Sequence, residues 1–216
     1  MNRAMMMATL PLLTFGLVAG YSSHSDTAKA APAGGDCTGG KVVRVGDKVA
    51  VSLSNTALNW DTSGSFVTLT DRSNKQVELV VGTGGSPSPA KGDCLRSGSF
   101  IRFASTNQTT GPNRYLQAYQ GPDAGVGADP SHVVIGNFPD PLKYSNFSVL
   151  KVSGPVGSVI ERGDEVVIRG TQKDPWLMVP PNPDVGTPVG LVPNPNSDDL
   201  SPNAAKWKFG NKDDDN

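Results

Sequence analysis

Val43-Arg44-Val45-Gly46-Asp47-Lys48-Val49, leading to Leu58-Asn59-Trp60, opens a pattern that recurs twice more along the chain. The second copy is Arg96-Ser97-Gly98-Ser99-Phe100 leading to Arg114-Tyr115-Leu116. The third is Arg162-Gly163-Asp164-Glu165-Val166 leading to Pro175-Trp176-Leu177. An aromatic residue follows each glycine by 14, 17 and 13 positions (Gly46 to Trp60, Gly98 to Tyr115, Gly163 to Trp176). Repetition of one short-strand unit means that a single supersecondary element is reused to close a shared core. Within the first copy Val43, Val45, Val49, Val51 and Leu53 alternate as a half-buried strand requires. Other β runs are Phe66–Leu69, Val77–Val80, Phe100–Phe103, His132–Ile135, Phe147–Leu150, Val166–Ile168, Val189–Val192 and Trp207–Phe209. With the aromatic-led segments they predict about twelve short strands, four to a repeat.

Glycine and proline punctuate the runs, 25 and 18 of them, at Gly82 to Pro89, Gly121 to Pro130 and Pro180 to Pro195. No stretch keeps a helical period beyond a turn or two, so the fold class is all-β, a barrel or a sandwich. The threefold period selects between them. The chain resembles a β-trefoil over roughly 41–210. Phe100-Ile-Arg-Phe-Ala-Ser with Asn113-Arg-Tyr-Leu-Gln-Ala resembles an element of fascin-like trefoils. Gly163-Asp-Glu-Val-Val-Ile-Arg is similar to the strand opening of MIR-type trefoils, and Lys206-Trp-Lys-Phe to the aromatic last strand of many repeats. The resemblance implies six strands in a barrel and six in hairpins about a pseudo-threefold axis. The Gln-x-Trp signature of ricin-B-type lectins is absent from all three repeats, and so is the start motif of Kunitz-type inhibitors. Neither family's binding residues carry over.

Arg3, the apolar run Met5 to Gly20 and the small residues at Val18-Ala19-Gly20 and Ala28-Lys29-Ala30 have the layout of a secretory signal peptide over 1–30, cleaved near 20 or 30. The apolar run is shorter than the roughly 20 residues of a membrane span, although a retained anchor is the alternative. Tyr21 stands where a lipoprotein signal needs cysteine. Residues 31–40 read as a disordered leader and 211–216 as an acidic tail. The whole chain has 19 basic and 20 acidic residues; Arg3, Lys29 and Asp26 leave with 1–30, taking the net charge from −1 to −2. That balance gives no basic stripe for nucleic acid and no basic amphipathic helix for a membrane. The mature protein is expected to be a monomer without a membrane span, secreted or periplasmic. Cys37 and Cys94 each follow Gly-Asp and lead into a first strand. In an exported protein this predicts a Cys37–Cys94 disulfide, with two buried free thiols as the alternative.

The residues give little sign of catalysis. Of two histidines, His24 falls in the leader and His132 at a strand start. There is no Gly-x-Ser-x-Gly elbow, and Gly82-Thr-Gly-Gly runs into Ser-Pro-Ser-Pro and not into a phosphate-binding Lys-Ser/Thr. Asp61, Asp123, Asp129, Asp140, Asp164 and Asp174 all lie near turns, where aspartate satisfies its own backbone. No catalytic residue, cofactor or metal is expected. Trp60, Asp61, Tyr119 and Asp123 are the candidate ligand contacts, an aromatic face for a sugar ring beside a carboxylate for its hydroxyls. Three readings stay open. The first is an exported, non-catalytic module binding carbohydrate or a glycoconjugate. The second is a proteinase inhibitor presenting Pro180 to Pro195. The third is an enzyme or toxin component whose site the sequence does not reveal.

Overall fold

A computed structural model describes residues 37–72, 74–82, 89–106, 115–118, 133–135, 145–170, 175–193 and 204–210. The signal segment, most of the leader, the acidic tail, Tyr119, Asp123 and His132 lie outside these residues. The described strands are β1 (Lys48–Leu53), β2 (Asn59–Asp61), β3 (Thr68–Thr70), β4 (Val77–Val81), β5 (Ser99–Ser105) and β6 (Leu116–Ala118). They continue with β7 (Val133–Ile135), β8 (Phe147–Lys151), β9 (Glu165–Gly170), β10 (Pro175–Met178), β11 (Gly190–Pro193) and β12 (Trp207–Gly210). Among the described residues there is no helix, as the lack of helical periodicity predicts.

Six strands close on themselves. β1 pairs antiparallel with β4, β4 with β5, β5 with β8, β8 with β9, β9 with β12, and β12 returns to β1 through Val51↔Phe209 and Leu53↔Trp207. Closure removes the sheet edges that would otherwise template aggregation. The remaining strands form three hairpins, β2–β3, β6–β7 and β10–β11. Each hangs from a barrel strand through one rung: Ser52↔Asn59, Ala104↔Tyr115 and Arg169↔Trp176. Inward-pointing side chains such as Val49, Val51, Ile101, Phe103, Val166 and Ile168 fill the barrel with no exposed surface or almost none. Alternate residues of β1, β5 and β9 point inward, as the period of a strand dictates, but several outward ones, Ala50, Arg102, Ala104 and Val167, are buried too.

The repeats meet in a cycle of backbone bonds. The Val43 N–H donates to the Ile160 carbonyl (3.0 Å), the Ile160 N–H to Leu95 (2.9 Å), and the Leu95 N–H back to Val43 (2.8 Å). All three side chains are fully buried. Three positions later the repeated glycines turn the chain into the barrel, with φ of 102° at Gly46, 90° at Gly98 and 87° at Gly163. Only glycine holds that conformation without steric cost. Each donates its N–H to the closing strand of its own repeat, at Leu79, Val149 and Phe209 (2.7, 2.7 and 3.0 Å). The residue after each glycine reaches back: Asp47, Ser99 and Asp164 accept from the N–H of Arg44, Arg96 and Glu161 (3.0, 3.1 and 2.8 Å). The sequence motif is thus a turn whose side chain satisfies its own backbone.

Two equivalences read from the sequence need correction. The rungs that hang the hairpins place Asn59, Tyr115 and Trp176 in one slot, so Trp60 corresponds to Leu116 and Leu177. Trp60, Leu116 and Leu177 all belong to the central core, whereas Trp176 lies against Arg169 on the opposite side of its strand. Both neighbours are large in two of the three repeats, so the aromatic residue alone does not reveal which one faces inward. The second correction concerns the cysteines. The bridges Arg44↔Cys94, Arg96↔Val159 and Val42↔Glu161 run cyclically through the repeats and make Val42, not Cys37, the counterpart of Cys94. The Cys37–Cys94 disulfide is nonetheless formed, with Cα atoms 6.1 Å apart, inside the usual bridging range. It ties the approach segment to the second repeat, and the Arg44 guanidinium braces it through the Gly92 carbonyl (3.2 Å) and the Cys37 carbonyl.

Candidate ligand site on the first hairpin

The β2–β3 hairpin is held on both flanks. On one side the Thr62 and Ser105 hydroxyls share a bond of 2.9 Å, both residues being buried. On the other, the turn of the third hairpin bonds to β3 in both directions: Leu69 N–H to Thr187 and Gly186 N–H to Leu69, each 2.8 Å, with Val189 N–H to Val67 at 2.9 Å. A hairpin clamped in this way presents its connecting loop in a fixed geometry.

Trp60 and Asp61 are adjacent on β2 and point to opposite faces. Trp60 is 2% exposed; its ring meets Phe103 and Trp207 edge-on at centroid distances of 5.3 and 5.2 Å. Its faces are taken up by the core, leaving none for a sugar. Asp61 looks outward, half-buried, opposite Thr68. Its Oδ1 accepts the Ser63 N–H at 2.8 Å and the Lys75 ammonium at 3.3 Å. Burial pushes the Asp61 carboxyl up, but the Ser63 hydroxyl and N–H and the Lys75 ammonium outweigh it and hold the group below the usual carboxylate range. At neutral pH the pair is a fixed anion beside a fixed cation. Phe66, on the same loop, is one of three large hydrophobic residues exposed among those described, with Val156 and Val185. It was not singled out from the sequence, where it reads as the first residue of a buried run.

Of the residues named from the sequence, the structure thus brings Asp61 to an accessible rim and Trp60 to the core, while Tyr119 and Asp123 lie outside the described residues. The Asp61 slot in the other repeats is filled by fully buried Gln117 and half-buried Met178, so only the first hairpin carries a carboxylate there. Among the described residues no group of three metal-ligating side chains occurs. Asp164 is spent on its turn and on Lys151, 2.7 Å away.

No protein-family model matches the chain, and no curated protein matches it. Solved structures do. A Caenorhabditis elegans protein of unknown function superposes with a TM-score of 0.56 at 13% identity, covering 81% of this chain and 99% of that one. The SDF2-like protein from Arabidopsis thaliana gives 0.53 at 13%, covering 78% and 94%. The S. cerevisiae protein O-mannosyltransferase Pmt1-Pmt2 complex bound to the sugar donor gives 0.52 at 12%, covering 79% and 25%. The likeness is one of fold. Type II water soluble Chl binding proteins match to the same degree, at 0.51 and 13%, so the architecture alone does not choose a ligand.

Proposed function

We propose that this chain is an exported β-trefoil of MIR-like pattern that binds carbohydrate or a glycoconjugate and catalyses no reaction. The observation that carries the reading is the ionised Asp61–Lys75 pair on a clamped hairpin whose connecting loop also carries exposed Phe66. Sugars present hydroxyls that both donate and accept, next to patches of C–H. A carboxylate and an ammonium meet the first, and an aromatic surface meets the second. The fold similarity to an SDF2-like protein and to a mannosyltransferase complex described with a sugar donor supports this reading. Export is supported by the N-terminal layout and by the disulfide. Tyr119 and Asp123 remain proposed contacts.

A glycan array with the oxidised protein tests the reading. Asp61→Asn should weaken the strongest glycan signal about tenfold, the worth of a charge-assisted hydrogen bond. An array on which every glycan stays at background would end it. One observation favours a second reading, a proteinase inhibitor. Pro180, Pro181 and Asn182 are exposed between β10 and β11, and the following turn is tied to Leu69 by two backbone bonds, through Gly186 and Thr187, which lowers the ordering cost of binding. A protease-inhibition panel beside the array separates the two.

A further inference from the structure

Arg102 lies on the outward side of β5, between inward-facing Ile101 and Phe103, and is only 9% exposed. Two contacts fix it. Its Nε donates to the Val81 carbonyl at 2.9 Å, and the guanidinium stacks over the Tyr115 ring with Cζ 4.5 Å from the centroid. Neither contact is an anion. Among the described residues no carboxylate makes an ion pair with it. Glu78 on the neighbouring strand faces Ala104, two residues along the register, whereas Arg102 faces Val80. A guanidinium removed from water is costly unless an anion compensates it. The terminal nitrogens accept no such compensation from the described protein, yet they keep contact with solvent. The result is a planar fork of N–H donors, held rigid at its base and open at its tip, a geometry that matches an oxyanion with two oxygens.

We propose that the Arg102 fork is an oxyanion subsite, and that the glycan this protein binds is acidic, its carboxylate or sulfate group seated on the two terminal nitrogens. The inference rests on the carbohydrate reading for the class of ligand and adds the charge. The near-zero net charge gives little long-range steering, so charge selection falls to this buried guanidinium. Tyr115 supplies the floor under the guanidinium and keeps it from turning towards bulk water.

The test is a titration of the oxidised full chain with three polymers: polygalacturonate (carboxylate), heparin (sulfate as well as carboxylate) and uncharged dextran. Sodium glucuronate and sodium sulfate are added separately while the melting temperature is followed. An acidic polymer should bind at least about tenfold tighter than dextran, and Arg102→Lys should lose at least about tenfold of that affinity, because the point charge survives and the fork does not. Lys91→Gln, which removes one exposed charge elsewhere, should bind as the unaltered chain does. Polygalacturonate and heparin distinguish carboxylate from sulfate as the group seated. Equal binding of charged and neutral polymers overturns the inference and leaves the carbohydrate reading standing. Failure of every polymer, with a melting shift by a small anion that Arg102→Lys abolishes, ends the carbohydrate reading and leaves the oxyanion site. Should Arg102→Lys not fold, phenylglyoxal labelling of the unaltered chain decides: the acidic polymer should shield Arg102 from modification, and undiminished labelling overturns the proposal.

Discussion

Asp61 is the residue where charge and fold are most directly linked. Ser63 and Lys75 favour its ionised form more strongly than burial opposes it, so the folded protein binds the proton less readily than the unfolded chain. Its contribution to stability is therefore complete above the unfolded carboxylate range and disappears as pH falls through the lower folded value. Urea midpoints of the native protein should drop more steeply than those of Asp61→Asn below about pH 4. Parallel curves for the two proteins down to pH 2 would show that the pair does not discriminate the protonation states. Next door, Trp60 acts through volume. Trp60→Ala should cost about 3–5 kcal/mol in denaturant unfolding, as large truncations in cores do, since it removes the edge contacts with both Phe103 and Trp207. The sequence could place an aromatic residue on the second strand of the first repeat but could not say that the carboxylate beside it faces out and the ring in. Arg102 was still less legible. In Phe100-Ile-Arg-Phe it reads as the polar member of an ordinary alternating strand, and only the burial of the outward face as well gives it meaning.

Among the elements, the turns were the most legible part, because Gly-Asp or Gly-Ser three times before a β run encodes both the positive φ and the side-chain acceptor. Substitutions separate two uses of glycine. At Gly163 a Cβ meets nothing within 4 Å, so Gly163→Ala should cost only the left-handed strain, about 1–2 kcal/mol. Gly82 follows β4, and there a Cβ would stand 2.6 Å from the Phe100 carbonyl oxygen and 2.8 Å from its carbon. That clash is with backbone, so β4 and β5 must part next to the Val81 carbonyl that holds Arg102. Overpacking of this kind costs about 1–3 kcal/mol and should add a loss of acidic-polymer binding that Gly163→Ala does not cause. Full affinity in folded Gly82→Ala would uncouple the strand pair from the fork. The hairpins were less legible: Asn-Trp in the first repeat stands where Tyr-Leu and Trp-Leu stand in the others, and matching aromatic to aromatic slips the register by one residue.

At the scale of the whole molecule, the repeats are held together by the cyclic bonds among Val43, Leu95 and Ile160 and by a barrel that closes only when the last strand returns to the first. The disulfide lies outside that closure, joining residues 57 apart in sequence. Its reduction should lower stability by about 2–4 kcal/mol through the larger freedom of the unfolded chain, without dismantling the barrel. The cycle makes a sharper demand. Each of its three amides donates to a different repeat, so no repeat can leave without breaking one donor and orphaning one acceptor in a fully buried ring. A chain of independent units would open at its ends first, with free energies well below the global value. Here the three amides should exchange with deuterium only through global unfolding, at one common free energy equal to that from denaturant melting. Hydrogen exchange read residue by residue checks this in the oxidised protein. If the Val43 amide, nearest the N-terminus, exchanged more than about tenfold faster than Leu95 and Ile160, a difference of about 1.4 kcal/mol, the first repeat would open alone and the three would not form one cooperative unit.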